Sequence, residues 1–269
     1  MNNTAFTKTI WDYYKKAGRE MPWRKNITPY RIVVSEIMLQ QTQVSRVAKK
    51  FDPFIRKFPS FKSLAKAPLN EVLKEWQGLG YNRRALNLHR LSKEVIANHR
   101  GKLPQDYTAL INLPGIGPNT AGSILAFAWN IPHPFIETNI RTVFIYFFFK
   151  KHRGKVHDKR LLSLIEKNLD RTNPREWHYA LMDYGTMLKR TEINPSRKSS
   201  HHLKQSQFKG SNRELRSHIL KEIIKNPLSE KDILKKFPRQ NPKSIMRNMS
   251  DLVKEGFVVK KGATYRVVI

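Results

Sequence analysis

The chain has 269 residues, enough for one large domain or two modest ones around a core that needs no staples. Its 51 Lys and Arg against 21 Asp and Glu give a formal net charge of +30 at pH 7. With 39% hydrophobic residues, this describes a folded protein with a polyanionic partner, nucleic acid ahead of an anionic membrane surface. The absence of cysteine excludes disulfides, thiolate zinc sites and cysteine-ligated iron–sulfur clusters.

In chain order, Met1 to Lys8 has no apolar signal core. Residues 4 to 188 then read as successive amphipathic helices without convincing strands. Punctuation falls at Met21-Pro22, Thr28-Pro29, Phe58-Pro59, Ala67-Pro68, Gly78-Leu79-Gly80, Leu103-Pro104 and Leu113-Pro114-Gly115. Ile140 to Phe149 is predicted to be a buried central helix; its apolar run from Val143 to Phe149 is far too short to span a bilayer, so a cytoplasmic protein is expected, nucleoid-associated if the source is bacterial. Residues 189–210 turn polar and basic and predict a linker between a domain at 1–188 and a second at 211–269. That second domain predicts helices over Asn212 to Lys225, Ser229 to Phe237 and Pro242 to Lys254, then a hairpin from Phe257 to Ile269, the pattern of a winged helix. Lys243, Arg247, Lys260 and Lys261 favour DNA as its partner, although such a fold serves protein contacts equally well.

Several strings carry chemistry. In Leu113-Pro-Gly-Ile-Gly-Pro-Asn-Thr-Ala121 the two glycines permit a tight turn between helices, leaving the start of the second helix open to a phosphate. Upstream stands Ser35-Glu-Ile-Met-Leu-Gln-Gln-Thr-Gln-Val44, and downstream Ile136-Glu-Thr-Asn-Ile-Arg-Thr-Val143. Pro22-Trp-Arg24, Gly78-Leu-Gly-Tyr81 and Met182-Asp-Tyr-Gly185 complete the set. Their order and spacing resemble the helix-hairpin-helix DNA glycosylases over residues 5 to 190. Within that superfamily the chain is most similar to MutY-type adenine and mismatch glycosylases, with endonuclease III a more distant cousin.

The resemblance implies an all-α fold of two helical subdomains, followed here by the small α+β winged-helix-like domain. It implies base excision from double-stranded DNA holding a mismatched or damaged base, by a protein expected to be a monomer. Glu36 matches the general acid, and Glu137 with Asn139 the site that stabilises the sugar cation and positions water. Arg19, Trp23, Arg24 and Tyr179 match the base pocket, and Gln41 and Tyr81 the residues that fill the gap left by a flipped base. Leu113, Gly115, Gly117 and Thr120 would grip the DNA backbone, and the resemblance leaves room for a monovalent cation at the hairpin.

The departures from the family pattern are specific. Glu137 stands where the superfamily has aspartate, one methylene longer, and a plain helix-start glutamate is its rival reading. Asn119 stands where bifunctional relatives carry a Schiff-base lysine, which predicts a monofunctional enzyme. Tyr179 replaces the Gln or Glu that helps read adenine. Residues 189 to 208 replace the cysteine cluster, so packing and charge must hold that segment unless it moves, and Arg190, Arg197, Lys198 and Lys204 are expected to offer phosphate contacts in its place. His157, His178, His201 and His202 are scattered and predict no metal site. The C-terminal unit is patterned unlike the Nudix-like domain of adenine-specific relatives. The expected activity is removal of adenine opposite G or 8-oxoguanine; thymine or uracil removal, or a retired damage-binding protein, are the alternatives.

Overall fold

The computed structural model of the protein describes residues 3–192, 194–202 and 207–268. Eleven helices follow one another along the punctuation: α1 (Asn3–Ala17), α2 (Pro29–Leu39), α3 (Val44–Lys57), α4 (Phe61–Lys66), α5 (Leu69–Trp76), α6 (Arg83–Asn98), α7 (Tyr107–Ile111), α8 (Pro118–Trp129), α9 (Thr138–Phe149), α10 (Asp158–Lys167) and α11 (Pro174–Thr191), counted among the described residues. Proline opens α2, α8 and α11, where its missing N–H and fixed φ carry no penalty. The C-terminal part adds α12 (Asn212–Lys225), β1 (Leu228–Ser229), α13 (Glu230–Lys236), α14 (Pro242–Lys254), β2 (Val258–Lys261) and β3 (Thr264–Val267).

The chain forms two compact units, Met1–Ile37 with Leu103–Lys204, and Met38–Lys102 with Gln205–Ile269. In the first, Phe6 of α1 lies edge-on to Phe144, Phe147 and Phe148 of α9 at 5.1 to 5.4 Å and to Trp177 of α11 at 5.9 Å. The expected apolar helix is therefore central to this core, with Ile140, Val143, Phe144 and Ile145 buried. Helix α11 comes closest to α9 at Gly185, where a Cβ would fall 2.3 Å from the Asn139 carbonyl oxygen, so only glycine fits.

Past α11 the chain is fastened where a linker was expected. A 3₁₀ turn at Pro195–Lys198 buries Ser196, and the Val156 amide donates to the Lys198 carbonyl at 2.9 Å. The Lys198 ammonium reaches the carbonyls of Phe149, Lys150 and His152, a cation at the C-terminal end of α9 that meets its dipole. Lys198 is thus engaged with backbone, whereas Arg190 and Arg197 are exposed. Lys204 lies outside the described residues.

The second unit closes around Phe51 and Phe54 of α3, Trp76 of α5 and Leu86, Leu88 and Leu91 of α6. It also takes in the C-terminal helices and an antiparallel sheet of order β1-β3-β2, a winged-helix-like arrangement. The predicted two-stranded ribbon gains a third strand because Leu228 and Ser229 pair with Tyr265 and Thr264 and cover an edge of β3 that would otherwise present unpaired groups. Glu255, just past α14, accepts from Arg83 of α6 and Arg216 of α12, and its carbonyl accepts from Arg90 of α6. Among the described residues no helix is long and apolar enough to cross a membrane.

Candidate active site

The hairpin between α7 and α8 is built from backbone. Gly115 has φ of +83°, open to glycine at no steric cost, and the Ile116 amide closes the turn on the Leu113 carbonyl at 3.1 Å. Leu113 and Ile116 are buried and anchor the loop. Gly117 caps α8 in an extended conformation, so the positive end of that helix dipole opens at the hairpin, with Thr120 in its first turn. Asn119 is exposed; its Oδ1 accepts from the Ile136 amide at 3.0 Å and ties the start of α8 to the strand of chain leading into Glu137.

Two carboxylates face one another electrostatically in this unit. Glu36, half-buried in the apolar run of α2, is raised to about 7, first by burial and further by the negative charge of Glu137, against a hydrogen bond from Ser123 of α8 that opposes the rise. The Ser123 hydroxyl sits 2.5 Å from Glu36 Oε2 and 2.9 Å from the Thr120 carbonyl. One hydroxyl proton cannot serve both acceptors. When Glu36 is protonated, its own O–H donates to Ser123 and Ser123 donates to Thr120, so the acid form is fully satisfied. Glu137 is the N-cap of α9: Oε2 accepts the Asn139 amide at 2.6 Å and Oε1 the Asn139 side-chain N–H at 3.2 Å. The cap fixes this carboxylate at the positive end of a helix.

The same unit holds a third, very different carboxylate. Asp183 has no exposed side-chain surface, and burial opposes its ionisation. Arg24 grips both oxygens at 2.8 Å, Arg19 adds its amide and guanidinium, and together they outweigh burial and hold the carboxyl below its usual range. Arg24 also lies 4.2 Å from the centre of the Tyr179 ring, whose other face stacks on Phe127 at 4.6 Å. Tyr179 is 3% exposed, its hydroxyl has no hydrogen-bond partner among the described residues, and it lies in the field of Glu36. Trp23, on the 3₁₀ turn Pro22–Arg24, is buried. His178 stacks on Phe135 at 4.3 Å and is driven down to about 4 by burial, so it is a neutral core residue.

In the other unit, Gln41 and Tyr81 share an unusual backbone, with φ of +54° and +48°. The Tyr81 hydroxyl accepts from Arg213 of α12 at 2.9 Å. Between the two loops, the buried Arg84 guanidinium donates to the carbonyls of Met38, Gln40, Leu79 and Gly80 and to the Thr42 hydroxyl. Burial pushes Arg84 down to about 10.

Residues 34–168 match the model of the HhH-GPD superfamily of base excision DNA repair proteins, a span that runs from just before Glu36 through the hairpin and Glu137. The chain belongs to the HhH-GPD superfamily. It is 36% identical over 189 residues to the adenine DNA glycosylase of Buchnera aphidicola from Baizongia pistaciae, covering 70% of this chain and 54% of that protein. It is 29% identical to the thymine/uracil-DNA glycosylase of Methanothermobacter thermautotrophicus, over 68% of this chain and 84% of the relative. Among solved structures it superposes on a thermostable thymine-DNA glycosylase with a TM-score of 0.64 and 28% identity, over 69% of this chain and 86% of the other. An endonuclease III–DNA complex shares the fold with a TM-score of 0.57 at 17% identity. The chain spans about half the length of the first curated relatives it matches.

In this HhH-GPD member, Glu36, Glu137, Asn139, Tyr179, Arg19, Trp23, Arg24 and the hairpin residues all fall in one unit, and Gln41 and Tyr81 in the other. Four polar residues beside them escaped the sequence reading: Ser123, Asp183, Lys189 and Arg84. Asp183 stood inside the Met182-Asp-Tyr-Gly185 motif and could have been singled out as its one carboxylate. Arg84 and Ser123 had no signal, because a single Arg or Ser in a helix is ordinary until its neighbours are known. Among the described residues no group of three or more His, Cys, Asp or Glu is placed to hold a metal ion.

Proposed function

We propose that the protein is a monofunctional DNA glycosylase acting on a mismatched base in double-stranded DNA, most readily adenine opposite guanine or 8-oxoguanine. The observation that carries this reading is Glu36: a carboxyl raised to about 7 is about half protonated at neutral pH and can still give its proton away. It donates that proton to a ring nitrogen of the extruded base. The C1′–N bond breaks, its electrons leave with the base, and the oxocarbenium-like sugar is left beside the negative charge of Glu137. Water then adds to C1′ and gives its proton to Glu137, yielding free base and an abasic site.

Arg24 and Phe127 cover the two faces of Tyr179 and fix its ring, so its unpartnered hydroxyl, not its face, is what it offers a base. The hairpin at Leu113, Gly115, Gly117 and Thr120 suits a phosphate, and Gln41 and Tyr81 suit the gap in the duplex. Asn119, occupied with the Ile136 amide, offers no amine for Schiff-base chemistry, which supports water as the nucleophile. The single hydroxyl of Tyr179, where an amide would grip adenine twice, favours a second reading, thymine or uracil opposite guanine.

Duplexes carrying A:8-oxoG, A:G, T:G and U:G pairs, assayed for strand breaks with and without alkali, test the proposal. Release of adenine with breaks that require alkali is the expected result. Strand cleavage that keeps pace with base loss without alkali would overturn the monofunctional reading, and release of T or U alone would replace the substrate.

A further inference from the structure

Lys189 occupies the last turn of α11, one turn beyond Gly185. Helical side chains lean back over the preceding turn, and there the missing side chain of Gly185 lets the Asn139 backbone of α9 pack directly against α11. That close approach brings Asn139 within reach of the Lys189 ammonium, which donates to Asn139 Oδ1 at 2.8 Å. The Asn139 side-chain NH₂ in turn donates to Glu137 Oε1 at 3.2 Å, while its backbone amide separately holds Oε2 at 2.6 Å. The three residues form one relay, Lys189 to Asn139 to Glu137, running from the segment that follows the glycosylase motifs into the carboxylate pair.

The direction of the relay follows from donor chemistry. An ammonium can only donate, so it selects the carbonyl end of the Asn139 amide and turns the NH₂ end toward Glu137. Without it, the amide loses the partner on its oxygen side, and the 3.2 Å bond to Glu137 Oε1 is left to hold the side chain by itself. We propose that Lys189 is a positioning residue for base excision, acting through Asn139 to hold the Glu137 carboxylate in place under the developing sugar cation; this rests on the glycosylase reading above. It gives the longer Glu137 side chain a fixed geometry that a bare helix cap would not supply. Burial lowers Lys189 from its ordinary value, and attraction to Glu137 works against that. The other charges at this corner are Glu36 of α2 and Arg141 of α9. Arg141 is matched by Asp158 of α10 at 2.7 Å. Lys198 is engaged at the far end of α9.

Single-turnover excision on the duplex that the wild-type protein cleaves best, with a melting curve for each variant, reads the effect. Lys189→Met is expected to lose at least about tenfold in excision rate with duplex affinity unchanged, and Lys189→Arg to regain most of it. In an Asn139→Ala background, Lys189→Met should change the rate less than about twofold, since the residue it acts through is gone. An equal loss in both backgrounds, a wild-type rate in Lys189→Met, or a borohydride-trapped covalent adduct at Lys189 overturns the proposal. An NMR readout stands apart from activity: the Asn139 side-chain NH₂ resonances, assigned by their loss in Asn139→Ala, should move in Lys189→Gln and return in Lys189→Arg. If they do not move, the relay is refuted even when no base is released. If they move while the wild-type protein releases no base, the relay stands and the glycosylase reading fails.

Discussion

In the unit formed by residues 1–37 and 103–204, Glu36 is enclosed by apolar chain with one serine hydroxyl and a like charge for company. In the unit of residues 38–102 and 205–269, Arg84 is also taken out of water but finds four carbonyls and a hydroxyl. Both groups pay for desolvation, and both shift toward neutrality. The carboxyl arrives near neutral pH, where a proton can be delivered, whereas the guanidinium keeps its charge and spends it on tying two loops together. Asp183 sharpens the contrast within the first unit, because with two arginines around it an even more buried carboxyl stays ionised. Burial sets the cost of a charge, and the partners decide whether the group becomes reactive or structural.

The contrast can be broken most severely at Glu36. Glu36→Gln keeps the size and polarity of the side chain but cannot deliver a proton at any useful pH. Single-turnover excision should fall by about a thousandfold, the range of a positioned general acid, with duplex binding in a gel-shift assay retained. Loss of less than about tenfold would move the acid elsewhere.

At Arg84 the expected effect is on stability. Arg84→Met removes the charge and its desolvation cost but strands buried carbonyls, so urea unfolding should report about 2–3 kcal/mol of destabilisation. A neutral result would mean that those carbonyls find water and that the guanidinium is not what holds the loops of Gln41 and Tyr81.

The smallest effect is expected at Ser123. With Glu36 as the proposed acid, excision needs it protonated, so the rate should hold below about pH 7 and fall as pH rises through it. Because the serine favours the ionised carboxylate, Ser123→Ala raises the Glu36 proton affinity and moves the falling limb to higher pH. At pH 8 the variant should then outrun the wild type by about threefold, the worth of roughly one ordinary hydrogen bond. A limb that moves to lower pH would reverse the role assigned to the serine.

Much of this molecule was legible in one dimension because its signals are local. Proline at helix starts, glycine in turns and apolar periodicity are properties of a few neighbouring residues, and they marked the helices, the hairpin and the winged-helix-like end. Glu36, the hairpin and Glu137 with Asn139 lay in strings whose order along the chain was enough to group them. What the order could not supply was the partner of each polar group. The approach of α11 to α9 at Gly185 puts Lys189 on Asn139 across 50 positions, and Ser123 meets Glu36 across 87. Whether residues 195–198 hang free or fasten onto α9, and whether a buried carboxyl is raised toward neutrality like Glu36 or held ionised like Asp183, depends on low-dielectric contacts that exist only after the chain has closed. The sequence determined which residues carry charge and where helices begin and end; tertiary packing decided which charges meet, because the energy of a buried charge is set by what lies within a few ångströms of it.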